Sequence, residues 1–476
     1  MSQVRTIFKN MSWLMISQLI TSIFGFIWTI LLARYLGVSG YGILGFAFAL
    51  TGILGFTMDW GISAHIVRHI STDYGSASKY LGNAIPLKCL FACGTVILTL
   101  IILILLRSDE VTFTVTLLFS IEMIIKLFIG LFDGSFQAFE MGKYQAISNT
   151  LLNIILLVFL LITIFSDLGI YAISISYLLA NAIALLYSYH VFCKNITKPA
   201  FEFDKKFCKT IFLASLPFAA TGFLYSIYYS IDVVMLTNII GDYPTGIYNA
   251  TYKLISVLTL FYSVYGAVIF PVMSRFYQND EKLLVISFEK SLKYLMLAII
   301  PIAIATMLYS TDIIHFIYGH QYEEASSVLS ILIWTVCLLF ITGAGNTLLN
   351  ASYKEVTITK LYMIAAVFNI VLNFFMIPVL SYDGAAITTV LSDILIVVLQ
   401  SYIIYKLGYR PDKRLYFDIG KICIASVILG VILHFLHLNM WVALPVGIII
   451  YLIMIILLKL FDDDDKYVIR EILGRN

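Results

Sequence analysis

The residues of this sequence best placed to do chemistry are ionisable side chains embedded in long apolar runs. Each is costly in hydrocarbon and is kept facing a cavity or a partner. One run holds Glu122, Lys126, Asp133, Gln137 and Glu140, whose spacings of four, seven, four and three keep them on one stripe of a helix. Glu122 precedes Lys126 in the favourable i, i+4 order for an ion pair. The stripe can line a polar cavity, or the pair can neutralise itself between helices. A later run carries Tyr225, Tyr228, Tyr229 and Asp232 on one broad face, and the next carries Lys253 with Asn249 and Ser256 beside it. Asp232 and Lys253 lie about nine and twelve residues from the corner at Gly241, which makes them level on adjacent antiparallel helices. A Lys there can meet a phosphate as a point charge, and Tyr faces can stack on sugar rings. The plainer alternative is a structural salt bridge with ordinary aromatic packing.

Other ionisable groups sit nearer the ends of their runs. Lys88 is a lone cation about eight residues into its run, able to line a cavity or to snorkel back to the headgroups. Asp59 and Arg68 fall in MDWGISAHIVRHI, at an expected inner mouth; Arg275 follows Gly246 at an offset comparable to that of Arg68 from Gly42. With Arg34 at an outer end, these four are candidate gate residues, or plain interfacial charges. Asp393 has no evident partner in the sequence, and His434 with His437 is too weak a pair to assign. No Walker A or HExxH motif is present, and none of the six Cys has zinc-ligand spacing. The sequence therefore calls for no catalytic residue, metal or cofactor, and no nucleic-acid partner.

The elements that must position these groups are membrane helices. The chain has 476 residues, 61% hydrophobic and 12% charged, against about 25% charged in a soluble domain. Runs long enough for a span, about 20 residues, number about fourteen. They lie near 11–36, 41–58, 80–106, 111–137, 144–165, 169–192, 211–239, 246–272, 289–310, 326–350, 357–380, 384–405, 417–437 and 441–460. Alternating from a cytoplasmic N-terminus, the inside segments collect nearly all Lys and Arg, while the outside ones hold only Arg34 and Arg107. That asymmetry predicts an even number of spans with both termini inside. The outer turn Ser310–Ala325 carries Asp312, Glu323 and Glu324 but no Lys or Arg.

Two corners echo each other. LLARYLGVSGYG at 31–42 and NIIGDYPTGIY at 238–248 each carry two glycines five apart, Gly37 with Gly42 and Gly241 with Gly246. Glycine suits such a corner by taking positive φ and by letting helices approach closely. Asn153 followed by Gly169 is likewise echoed by Asn369 followed by Gly384. The expected architecture is an all-α integral membrane protein of two six-helix lobes, related by pseudo-two-fold symmetry, plus two C-terminal helices. The lobes are residues 1–193 and 211–407, with a basic cytoplasmic linker at 194–210, two further helices within 408–461 and a cytoplasmic tail at 462–476.

ARYLGVSGYG at 33–42, DWGI at 59–62 and NIVLNFFMIPVLSYDGAAITT at 369–389, in a six-plus-six-plus-two layout, resemble the polysaccharide biosynthesis exporters. These are the O-antigen flippase-like family of the superfamily that also holds multidrug and toxin extruders and lipid II flippases. The resemblance covers almost the whole chain. It implies a prokaryotic plasma-membrane flippase for a polyprenyl-pyrophosphate-linked oligosaccharide, working by alternating access. Its partners would be the lipid-linked oligosaccharide, membrane lipid and other proteins of glycan assembly. The family lines its cavity with cations, and by position Lys126 and Lys253 are the candidates here, with Arg34, Lys88 and Arg275 behind them. A cation-coupled drug antiporter is the rival within transport, and it would want a net acidic cavity. A membrane scaffold or glycan-assembly enzyme is the rival outside it.

Overall fold

The structure, a computed structural model, describes residues 3–199 and 202–461. The tail with Asp462 to Asp465 lies outside the described residues. Among the described residues every regular element is helical, as a chain in lipid requires when each backbone group must be satisfied within its own segment. In chain order the α-helices are α1 (Gln3–Asp59), α2 (Ile62–Ile70), α3 (Ala77–Leu105), α4 (Glu110–Ala138), α5 (Gly142–Phe165), α6 (Gly169–Asn195), α7 (Lys205–Ile239) and α8 (Asp242–Ser256). They continue as α9 (Thr259–Asn279), α10 (Glu281–Leu308), α11 (Ser310–Ile317), α12 (Ala325–Ala351), α13 (Glu355–Lys406), α14 (Lys413–Leu436) and α15 (Met440–Leu457).

Among the described residues ten helices are long and apolar enough to cross a membrane. Large apolar side chains point outward along them, among them Leu105, Phe165, Val379 and Ile456 at 74%, 85%, 77% and 74% exposure. A water-soluble fold could not leave so much apolar surface bare. The chain is a multi-pass membrane protein.

Helix ends follow the local sequence. Asp109, Asp204, Asp280 and Asp412 cap the N-termini of α4, α7, α10 and α14 by accepting from backbone N–H groups of the first turn. At the C-terminal ends, Arg107, Glu140, Asp167 and Tyr353 take left-handed φ of 53°, 55°, 49° and 58°. The next N–H then reaches back to a carbonyl of the last turn, as Ser108 does to Leu103 at 3.2 Å and Leu168 to Thr163 at 3.1 Å. These bonds close orphan carbonyls that lipid cannot solvate. Glu140 thus lies past the end of α4, off the stripe that the spacing predicts.

Two of the long helices are pairs. α1 turns at Gly37 (φ 68°) and α13 at Ser381 (φ 53°). The second turn falls on Ser381 and not at the echoed Gly384, which is helical. The expected span at 246–272 is divided into α8 and α9 by a break at Val257 and Leu258.

The chain forms two compact units, one of residues 1–253 with 373–382, the other of residues 254–372 with 383–476. In the first, α1 packs against α4, α5 and α7, and α4 against α6. Its apolar core at one end gathers Ile62, Ile66 and Ile70 of α2 with Leu81, Leu131, Phe136, Phe192 and Ile211. In the second, α10 packs against α12 and α14, and α12 against α9. Gln400 of α13 donates to the Thr342 carbonyl of α12 at 3.1 Å and to Asn346 Oδ1 at 2.8 Å.

The echoed corners do more than resemble each other: within the first unit they touch. Gly37 and Gly241 take the positive φ, 68° and 123°. Gly42 and Gly246 supply the close approach. A Cβ on Gly42 would fall 1.9 Å from the Asp242 carbonyl oxygen, and one on Gly246 would fall 1.9 Å from that of Val38. Tyr35 extends the lock, donating to Asp167 Oδ1 at 2.9 Å and accepting from the Gly169 N–H at 3.0 Å. Gly246→Ala is expected to force these backbones apart, costing about 1–3 kcal/mol. Thermal unfolding in detergent should show a lowered Tm, whereas Gly52→Ala, with open space around it, should leave the Tm unchanged.

Candidate functional site

The clearest polar assembly in the first unit is built on Glu122 of α4. Its carboxylate is buried, at 2% exposure. Lys126, one turn further on, approaches Oε1 at 2.8 Å, and Asn181 of α6 donates to the same oxygen at 2.7 Å. Asn181 is fully buried and also donates to the Tyr177 carbonyl at 2.8 Å. Trp28, Phe48 and Phe119 pack around the Tyr177 ring and shield this side. The two charges are treated unequally: the carboxylate is walled in, and the Lys126 side chain remains 43% exposed. Glu122 therefore holds an ammonium at the edge of the packed region. Lys253 of α8 is exposed as well, and lies within electrostatic reach of Lys126.

Asp232 of α7 is buried at 4% exposure. Tyr248 donates to its Oδ2 at 2.8 Å and Asn373 of α13 to its Oδ1 at 2.6 Å. Three elements of the unit thus converge on one carboxylate. Tyr225, Tyr228 and Tyr229 form a contiguous ring cluster on α7, with centroids 4.4 Å apart for Tyr225 and Tyr229 and 5.3 Å for Tyr228 and Tyr229. Tyr228 is buried, while Tyr225 is half exposed and offers a ring face.

Lys88, alone in the sequence, is not alone in the fold. Its side chain is fully buried and its ammonium is paired with Asp59 at the end of α1. It also donates to Ser63 Oγ at 2.6 Å, and Ser63 Oγ donates to Asp59 Oδ1 at 2.6 Å. Lys88 therefore lines no surface. Asp133 is buried too, at 9% exposure, and its Oδ1 has no hydrogen-bond partner. Arg34, Arg68 and Arg275 are exposed. The residues that sequence reasoning passed over are Asn181, Tyr248, Asn373 and Ser63. Asn181 and Asn373 were findable, because an amide in the middle of an apolar run needs partners for four hydrogen-bonding positions.

The family model described as polysaccharide biosynthesis protein matches residues 7–277, more than half of the chain. The chain belongs to the polysaccharide biosynthesis protein family. A second model, MatE, matches residues 217–375 of this family member. An uncharacterized membrane protein of Methanocaldococcus jannaschii is 27% identical over 282 residues, 56% of this chain and 55% of that one, so the chain spans about half the length of that relative. The probable low-salt glycan biosynthesis flippase Agl15 of Haloferax volcanii is 25% identical, over 90% of this chain and 91% of that one. Among solved structures, the lipid II flippase MurJ in an inward closed conformation superposes with a TM-score of 0.77 at 18% identity, covering 93% of this chain and 97% of that one. At that identity the likeness is one of fold.

The buried Lys88–Asp59 pair carries a stability test. Asp59→Asn leaves the Lys88 ammonium uncompensated inside the unit and should cost about 3–5 kcal/mol. Adding Lys88→Met should recover most of the lost Tm, as measured by thermal unfolding of the solubilised protein. A double variant as unstable as Asp59→Asn alone would contradict an electrostatic cause.

Proposed function

We propose that this protein flips a polyprenyl-pyrophosphate-linked oligosaccharide across a prokaryotic plasma membrane for cell-surface polysaccharide synthesis. The observation that carries the reading is the exposed pair Lys126 and Lys253, in electrostatic reach of each other, in a chain of the polysaccharide biosynthesis family. The pyrophosphate occupies the field of the two ammoniums, as a point-charge contact suits. Tyr225 offers a ring face to the sugars, with Tyr228 and Tyr229 behind it. The lipid tail stays in the bilayer throughout.

Movement is by alternating access of two six-helix lobes, residues 1–193 and 211–407, with 194–210 as their cytoplasmic linker. In this topology α1 and α13 each cross twice, α8 with α9 once, and α3 to α7, α10, α12, α14 and α15 once each. That makes fourteen spans with both termini cytoplasmic. Arg34, Asp59, Arg68 and Arg275 stand near the two mouths. Asp232 is the coupling carboxylate, because a change in its charge acts at once on α7, α8 and α13 through Tyr248 and Asn373. The match of the MatE model to residues 217–375 favours a second reading, export of small cationic molecules. The cationic pair is the wrong sign for that cargo.

In liposomes carrying a fluorescent polyprenyl-pyrophosphate oligosaccharide, Lys126→Ala and Lys253→Ala should each slow transfer about tenfold or more, the loss of one charge-assisted contact of about 1.5–3 kcal/mol. Transfer unaffected by both would remove the site from the account. Absence of transfer together with efflux of a cationic dye would favour the antiporter. Asp232→Asn should flatten the dependence of transfer on pH, and an unaltered pH profile would dismiss Asp232 as the coupling group.

A further inference from the structure

The turn that leads from α11 into α12 lies outside the membrane-spanning helices, and the proposed transport makes no use of it. It brings together three side chains with metal-binding chemistry: His315 in the last turn of α11, His320 three residues beyond the helix end, and Glu323 further along the turn. One ligand atom from each lies within 4.8 Å of the other two. The imidazole rings of His315 and His320 are 4.1 Å apart at their centroids. His315 Nε2 faces Glu323 Oε2 at 3.6 Å, is closed off from solvent and makes no hydrogen bond. A buried ring nitrogen directed at a carboxylate, too far for a hydrogen bond, leaves its lone pair or proton unused.

We propose that His315, His320 and Glu323 bind a divalent transition-metal ion of the Zn2+ class. Zn2+ takes imidazole nitrogen at about 2.0–2.1 Å and carboxylate oxygen at about 2.0–2.2 Å, so two ligands of a tetrahedral ion stand about 3.3–3.5 Å apart. The His315–Glu323 separation, 3.6 Å, needs only a small closing movement to reach that span. His320 and Glu323 are exposed, and their side chains can close the remaining gap without moving the backbone. Two nitrogens and one carboxylate oxygen suit Zn2+, Co2+ or Ni2+ better than Ca2+ or Mg2+, which favour all-oxygen shells. The fourth position is left to water.

The backbone under the three ligands is fixed. Tyr318 and Tyr322 are buried at 1% and 0% exposure, with rings 5.3 Å apart. Gly319 takes φ 89°, and the Tyr322 N–H donates to its carbonyl at 3.2 Å. His320 and Glu323 are thereby presented on the same side as His315. Asp312 on α11 and Glu324 in the turn add negative charge to residues 310–325, which carry no Lys or Arg. The ion pins the end of α11 to the start of α12.

The test uses the full-length protein without a histidine tag, in lipid nanodiscs. Calorimetric titration with ZnCl2 should show one equivalent bound at micromolar affinity or tighter, with a raised Tm. Co2+ substitution should give the visible absorption of a tetrahedral site. His320→Ala and Glu323→Gln, both at exposed positions, should each weaken Zn2+ binding at least about tenfold and cancel the Tm shift. His434→Ala in the separate His434–His437 pair should change neither. Wild-type affinity in both the His320 and Glu323 variants, or no stoichiometric Zn2+ uptake by the wild type, would overturn the assignment. Glycan-lipid transfer is not the readout, so failure of this site leaves the transport reading untouched.

Discussion

Two backbones in van der Waals contact at Gly42 and Gly246 set the register of the first unit. No side chain fits there, since a single Cβ on either residue would overlap a carbonyl oxygen of the other corner. With the backbones so close, α8 lies along the second half of α1, and Asn249 covers Gly45. The first half of α8 then brings Tyr248 to Asp232, and the following turn carries Lys253. The glycine contact therefore fixes the positions of polar groups that lie several residues away from it. A larger residue at the corner would displace them together.

The second constraint is electrostatic. A charge in an apolar unit must be paired, hydrogen-bonded or exposed, because its desolvation otherwise costs several kcal/mol. The fold uses each solution in a different place. Lys88 and Asp59 are paired inside the unit with Ser63 between them. Glu122 is buried and held by Asn181 and Lys126. Asp232 is buried under two neutral donors, Tyr248 and Asn373. Lys126, by contrast, keeps its side chain 43% exposed beside the walled-in carboxylate. The packing thus separates buried, partnered charges from accessible ones, although both kinds look alike in the sequence.

That sorting explains which parts were legible in advance. The helices were, because an apolar run of span length has few other fates. The i, i+4 pair of Glu122 and Lys126 was legible because one helix contains both residues. The kinship of the two glycine corners was legible from spacing, but their mutual contact was not, since nothing local records which surfaces meet across about 200 residues. For the same reason Lys88 looked solitary, 29 residues from Asp59. Asn373 gave no sign of reaching Asp232, 141 residues away. The grouping of His315, His320 and Glu323 depends on a positive φ at Gly319, which spacing alone does not announce.

The central claim is that Lys126 and Lys253 recognise an anionic headgroup. The most direct measurement compares transfer, in the same proteoliposomes, of one oligosaccharide carried either on a polyprenyl pyrophosphate or on an uncharged polyprenyl ether. The account predicts transfer of the pyrophosphate form and little of the neutral one, with the difference erased in a Lys126→Ala, Lys253→Ala double variant. Equal transfer of both lipids by the wild type would contradict it.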